Sequence, residues 1–303
     1  MDTNSTFNLD EVDFERRFGG IARLYGAPAL EHFRGAHVCV VGVGGVGSWI
    51  VEALARSAIG QLTLIDLDNV AESNINRQIQ ALTATVGQAK IHALAERIAQ
   101  INPFCVVHQV EDFVTPDNLD TMLGTNKFDY VVDAIDSVKA KAAMIAHCRR
   151  HAIPLVIIGS AGGQTDPTQI AVRDLARTEQ EPLLKKVRRL LRSEYGFPRG
   201  EKTKFHVDAV FSMEPLKYPQ AAEADACEVD AGGITGLNCA GFGSAMVVTA
   251  TFGMVAAGHV LRQLAAPAVQ VAVAPVIAPV VAPAAAPDSA PAAPVAADGT
   301  IGN

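Results

Sequence analysis

The sequence predicts an α/β fold, a doubly wound and mostly parallel sheet with helices on both faces. Three observations predict it: an apolar run entering a glycine turn, apolar strands alternating with helical periods, and enough apolar residues for a large core. Of 303 residues, 49% are hydrophobic, which suits one large domain or two modest ones.

Residues 1–34 read as a polar helical segment carrying the basic-aromatic stretch FERRFGGIARLYG. From about 36, an apolar run (Val38 to Val41) enters GVGGVG, and a helix over 48–58 and a strand over 61–66 follow. This is one βαβ unit of the Rossmann-like kind. Gly42 permits the tight turn, Gly44 and Gly45 let backbone approach a phosphate, and Gly47 lets helix and strand pack closely. A helix over 87–101 ends at Asn102-Pro103, followed by a strand over 105–110 and a helix opening at TPDN, 115–118. A strand over 130–134, a helix over 138–151 and a buried strand LVIIG complete the alternation. Past Gly159 the alternation weakens. GSAGGQTDPTQIAVRDLART suggests a strand pair, and LLKKVRRLLR a basic helix.

The chain therefore divides into an N-terminal helical segment (1–34), a nucleotide-binding core (35–160), a further part of the same domain (161–264) and a tail (265–303). The third part carries a basic insert and, over 219–238, an expected mobile loop. The tail is almost wholly Ala, Pro and Val, with seven prolines between 265 and 299, and is expected to be disordered. The apolar segment 243–261 imitates a membrane span but is expected to be a buried core helix. The polar, acidic first residues hold no signal-peptide core, and five scattered cysteines without a CxxC pair argue against a disulfide framework or a four-cysteine zinc site. A reducing, cytoplasmic setting is expected.

Taken alone, the glycines and Asp66, 24 residues after Gly42, suit a dinucleotide, with Asp66 accepting from ribose hydroxyls. The next residues favour ATP. LIDLDNVAESNINRQ supplies Asp66, Asp68, Asn74, Asn76, Arg77 and Gln78, and VGQAK supplies Lys90. Two cations beside the phosphate turn suit a triphosphate, and a carboxylate opposite them suits Mg²⁺. Asp133 and Asp136 in YVVDAID end a strand where such ligands bind. Asp133 reads equally well as a helix cap or a buried structural acid, and Asp136 could instead cap the helix that follows.

GVGGVGSW, the D-x-D-x-V-x-x-S-N-x-x-R-Q run, VGQAK and DAIDS together resemble the ATP site of the E1-like adenylating superfamily. The resemblance implies that Asp66 holds the ribose, that Asn74, Arg77 and Lys90 hold phosphates, and that Asp136 is the Mg²⁺-associated, catalytic carboxylate. It also implies an arginine reaching into a partner subunit's site, Arg23 or else Arg17, and hence a homodimer. FGGIARLYG, EDFVTPDN, DAIDSVKAKAAMIAHCRR, GSAGGQTDPTQI and VTATFG resemble one branch more closely, the tRNA threonylcarbamoyladenosine dehydratases, from about residue 12 to 262. That branch uses ATP to cyclise a threonylcarbamoyl-adenosine next to the anticodon. The alternative is an activator of a sulfur-carrier or ubiquitin-like protein, which would need a working cysteine. Cys227 and Cys239 are the candidates for that role, and each also reads as a small apolar residue.

A tRNA partner needs local positive charge on a chain of net charge −7. Residues 185–204 hold eight Lys or Arg against Glu194 and Glu201, with Lys185, Lys186, Arg188, Arg189 and Arg192 the expected contacts. The superfamily also leaves room for a cysteine desulfurase or sulfur-acceptor partner.

Overall fold

A computed structural model of the chain describes residues 12–124, 128–200, 202–218 and 242–266. The expected loop at 219–238, both Cys227 and Cys239, and the tail from 267 onward lie outside these residues.

Asp13 opens helix α1 (Phe14–Tyr25) by accepting from the Arg16 N–H, and Gly26, at φ +93°, separates it from α2 (Ala27–Gly35). Seven strands then form one sheet: β1 (His37–Val41), β2 (Gln61–Ile65), β3 (Val106–Val110), β4 (Tyr130–Asp133), β5 (Leu155–Ile158), β6 (Ile170–Asp174) and β7 (Asp208–Ser212). Their order is β3-β2-β1-β4-β5-β7-β6, parallel throughout except that β6 runs antiparallel to β7. The chain winds outward from β1 to β3 on one side and from β4 on the other. The switch point between β1 and β4 opens a crevice at their C-terminal ends.

Alternate strand residues serve opposite faces, as the two-residue period requires. Val38, Val40, Leu64 and Val132 join the core beneath α3 (Gly47–Ala55), α4 (Lys90–Ile101) and α7 (Met246–Ala265). Cys39, Val41, Val131 and Ile157 join the core beneath α5 (Val138–Arg150) and α6 (Pro182–Glu194). Helix α7 buries Val248, Phe252, Ala256 and Val260 against the sheet. It lies so close to α3 that a Cβ on Gly253 would stand 2.7 Å from the Trp49 Cβ. No helix among the described residues is long and apolar enough to cross a membrane.

Three local expectations are corrected. The helix expected from 87 begins at Lys90, because Gly87 adopts φ +92° and turns the chain first. No helix opens at TPDN. The Asn118 side chain accepts from the Thr115 N–H (2.8 Å) and donates to the Phe113 carbonyl (2.8 Å), and only a five-residue π turn, Asp120–Gly124, follows. The strand pair expected within 159–178 is a single strand, β6. The N–H groups of Thr165 and Asp166, which a first strand would have spent on a neighbour, donate to the Glu214 carboxylate at 2.9 and 2.8 Å.

Candidate active site

The crevice at the switch point is a cavity of about 490 Å³, within the range usual for small-molecule sites. Its floor is the glycine turn. Gly42 adopts φ +84°, and a Cβ there would meet Ile135 Cγ2 at 2.9 Å. A Cβ on Gly47 would stand 1.9 Å from the Gly42 carbonyl oxygen, so no other residue fits this backbone. Gly44 and Gly45 carry no such conflict but line the cavity with Val46. No side chain caps α3, so its positive N-terminal end is left open at the cavity beside Gly45 and Val46, where an anion would be favoured.

Asp66, at the end of β2, is buried, accepting from the Val43 N–H (2.8 Å) and the Asp68 N–H (2.9 Å). Burial pushes its carboxyl above the ordinary value, against the pull of Lys90 and of these two donors. Each oxygen keeps a further lone pair for a hydroxyl. Lys90, the first residue of α4, is 6% exposed and ion-paired to Asp68 at 2.7 Å. Arg77 runs beside Gly45, its guanidinium donating to the Ser73 carbonyl (2.7 Å) and to Asn76 Oδ1 (3.0 Å). The Asn74 amide oxygen accepts from the Ala71 N–H at 3.1 Å. Asp66, Asp68, Asn74, Arg77 and Lys90 all line the cavity.

The opposite wall begins at Asp136 and Ser137. Ser137 caps α5 by accepting from the Ala140 N–H, so the exposed Asp136 carboxylate is left open to the cavity. Asp133 is the buried structural acid, wholly enclosed, with its Oδ1 2.7 Å from the equally enclosed Lys141 Nζ. Burial raises the Asp133 carboxyl, with Lys141 opposing. Glu181 caps α6 and also accepts from the Ser160 N–H at 2.9 Å, fixing the turn Gly159–Gly162 that closes this wall. The C-terminal helix joins in through Thr249, whose hydroxyl donates to the Arg77 carbonyl at 3.3 Å.

Residues 18–279 match the model of the ThiF family. The chain belongs to the ThiF family. That membership places it in the E1-like superfamily, as the ATP-site motifs implied. The ThiF-family chain is 55% identical over 259 residues to the tRNA threonylcarbamoyladenosine dehydratase of Escherichia coli (strain K12), covering 85% of this chain and 96% of that protein. It is 51% identical over 253 residues to the enzyme of that name from Haemophilus influenzae, covering 83% and 94%. A crystal structure of the E. coli enzyme in complex with ATP matches with a TM-score of 0.74 at 54% identity, over 82% of this chain and 94% of that one.

Some expected residues stand elsewhere in this ThiF-family fold. Arg23 is exposed on α1 and does not line the chain's own cavity. Arg17 donates to the carbonyls of Gln100 (3.0 Å) and Ile101 (2.8 Å) at the end of α4. On α6, Lys185, Lys186 and Arg189 are exposed, whereas Arg188 bonds Thr178 and Arg192 lies 5.1 Å over the Phe205 ring. Burial favours the protonated thiol in the cysteines among the described residues: it pushes Cys105 and Cys148 up to about 12, and Cys39 higher still.

Lys141, Glu181 and Thr249 escaped the sequence reading. Their signal was present only as an unexplained cation, an acid before Pro182 and a threonine in VTATFG.

Proposed function

We propose that this chain is an ATP-dependent tRNA threonylcarbamoyladenosine dehydratase, which cyclises that nucleoside next to the anticodon. The observation that carries the reading is the cavity with the glycine turn, Arg77 and Lys90 on one side and Asp136 on the other. The similarity to enzymes of that name, over 83–85% of this chain and 94–96% of theirs, supports it.

A free carboxylate is a poor electrophile and must be activated. The substrate's threonyl carboxylate attacks the α-phosphorus of ATP; the bond to the β-phosphate oxygen breaks and pyrophosphate leaves, giving an acyl-adenylate. Asp66 holds the ribose, and Asn74, Arg77 and Lys90 hold the phosphates and offset the charge that builds up on them. The exposed Asp136 carboxylate fits an oxygen-preferring cation, and Mg²⁺ bound there would supply further neutralisation of phosphate charge. A nitrogen or oxygen of the substrate's own carbamoyl group then attacks the activated carbonyl and AMP leaves. The nucleophile is tethered, so ring closure gains from effective molarity and needs no cysteine thioester.

In a homodimer, Arg23 would serve the site of the second copy. The tRNA backbone would meet Lys185, Lys186 and Arg189, with Arg188 and Arg192 bracing α6 from within. The cytoplasm is the compartment that this reading implies.

The test is incubation with ATP, Mg²⁺ and tRNA from a strain lacking the gene, then digestion and mass analysis of the nucleosides. The expected result is loss of one water mass from the threonylcarbamoyl nucleoside, with AMP formed. AMP formed only with a small protein ending in Gly-Gly would make the chain a carrier activator, and no ATP use would sink both readings. Lys185→Ala/Lys186→Ala/Arg189→Ala should weaken tRNA binding and flatten its log–log salt dependence by about 0.7–0.9 per lost phosphate contact.

A further inference from the structure

At the far end of α5 from Ser137, two histidines stand one helical turn apart. His147 is buried (4% exposed) and His151 is exposed; their ring centroids are 4.4 Å apart, and the His151 N–H closes the helix on the His147 carbonyl. Asp120, which opens the π turn between β3 and β4, brings its Oδ1 to 3.4 Å from His147 Nδ1. One donor atom from each of the three residues lies within 4.8 Å of the others. None of the three lines the nucleotide cavity.

We propose that Asp120, His147 and His151 form a site for a divalent transition-metal ion of the zinc class, separate from the ATP site. Donors about 2.0–2.1 Å from a tetrahedral ion stand about 3.4 Å apart, which is the separation already found between Asp120 and His147. His151 needs only a side-chain adjustment at the exposed helix end to reach the same distance. Two imidazoles spaced i, i+4 on a helix and a carboxylate from another segment make a borderline-soft donor set. It suits Zn²⁺ or Co²⁺ better than Mg²⁺ or Ca²⁺, which take oxygen ligands.

A simpler account is a histidine pair at a helix C-terminus, with one ring bonded to Asp120. It gives no reason for the second imidazole to stand 4.4 Å from the first beside the same carboxylate. A bound ion would pin the C-terminal end of α5 to the segment leading into β4, and so stiffen the helix whose other end carries Ser137 beside Asp136. Water would complete the coordination on the exposed Asp120 side.

The test titrates Zn²⁺, and separately Co²⁺, into the metal-free full-length chain. The expected results are one ion bound per chain, visible d–d absorption with Co²⁺, and a higher unfolding midpoint with Zn²⁺. Asp120→Asn and His151→Gln change exposed side chains, so circular dichroism should show both folded. Each should weaken Zn²⁺ binding by at least about tenfold and abolish the midpoint rise. Zn²⁺ binding unchanged in these two variants, as cysteines or other histidines would give, would overturn the proposal. So would the absence of binding at submillimolar Zn²⁺.

Discussion

The two walls of the nucleotide cavity are built in opposite ways. The β1–β2 wall takes its groups from the unbroken stretch 42–90 and braces them on the outside, where Glu52 of α3 receives Arg97 at 2.6 Å and Arg56 at 2.7 Å. The β4–β5 wall rests on the Asp133–Lys141 pair, sealed from water, and on Glu181 from beyond β6. The first wall sets its charges in the cavity itself. The second positions one open carboxylate from charges that lie outside the cavity lining. A grip fails one residue at a time, whereas a buried brace fails as a unit.

That contrast can be broken most directly at the gripping residue. Arg77→Ala should cut AMP formation about 10²–10³-fold, measured by nucleotide release, with an unchanged unfolding midpoint because the side chain bonds only surface partners. Asp136→Ala should do the same from the other wall. Retained activity in Arg77→Ala would put the phosphate grip elsewhere.

The brace is tested next. Lys141→Met strands a carboxylate in the core and should destabilise the fold by about 3–5 kcal/mol in denaturant unfolding. Adding Asp133→Asn should recover much of that stability while AMP formation stays low. Equal recovery of both would mean that the pair serves folding alone.

The smallest effect distinguishes the outer brace by its pH dependence. Burial alone would raise the Glu52 carboxyl, but the bonds and charges of Arg97 and Arg56 outweigh it and hold the value below the ordinary one. Its contribution is thus present above the ordinary carboxylate range and is lost as pH falls through the lowered folded value. Asp66 and Asp133, raised by burial, run the other way: their contribution belongs to low pH and fades as pH rises. Glu52→Gln should lower the thermal midpoint at neutral pH, with the gap to wild type closing on acidification.

The same contrast explains what the sequence made legible. The β1–β2 wall was readable because its physics is local. Glycines at fixed spacing, a strand-end acid and two following cations sit within one stretch, and the cavity gathers them as expected. The mostly parallel, doubly wound sheet followed from alternation alone, whereas its strand order did not. The other wall was only half readable. DAIDS marked Asp136, but whether Asp133 was a cap or a buried acid depended on Lys141, eight residues later and wholly enclosed. Glu181 closes the wall only because α6 returns beneath β5, a tertiary fact with no local signature. The basic helix was only half readable for the same reason. Charge count could not say that Arg188 and Arg192 turn toward Thr178 and Phe205. At TPDN, the local side-chain bonds of Asn118 overrode a plausible helix start.

Trp49 is the chain's one tryptophan, and it stands where the first wall meets the C-terminal helix. Its indole Nε1–H donates to the Arg77 carbonyl at 2.9 Å, while its Cβ faces Gly253 of α7. The molecule therefore carries its own optical reporter. Excitation at wavelengths that spare the four tyrosines isolates this tryptophan, whose emission should report on the backbone that carries Arg77 and follow nucleotide titrations without any label.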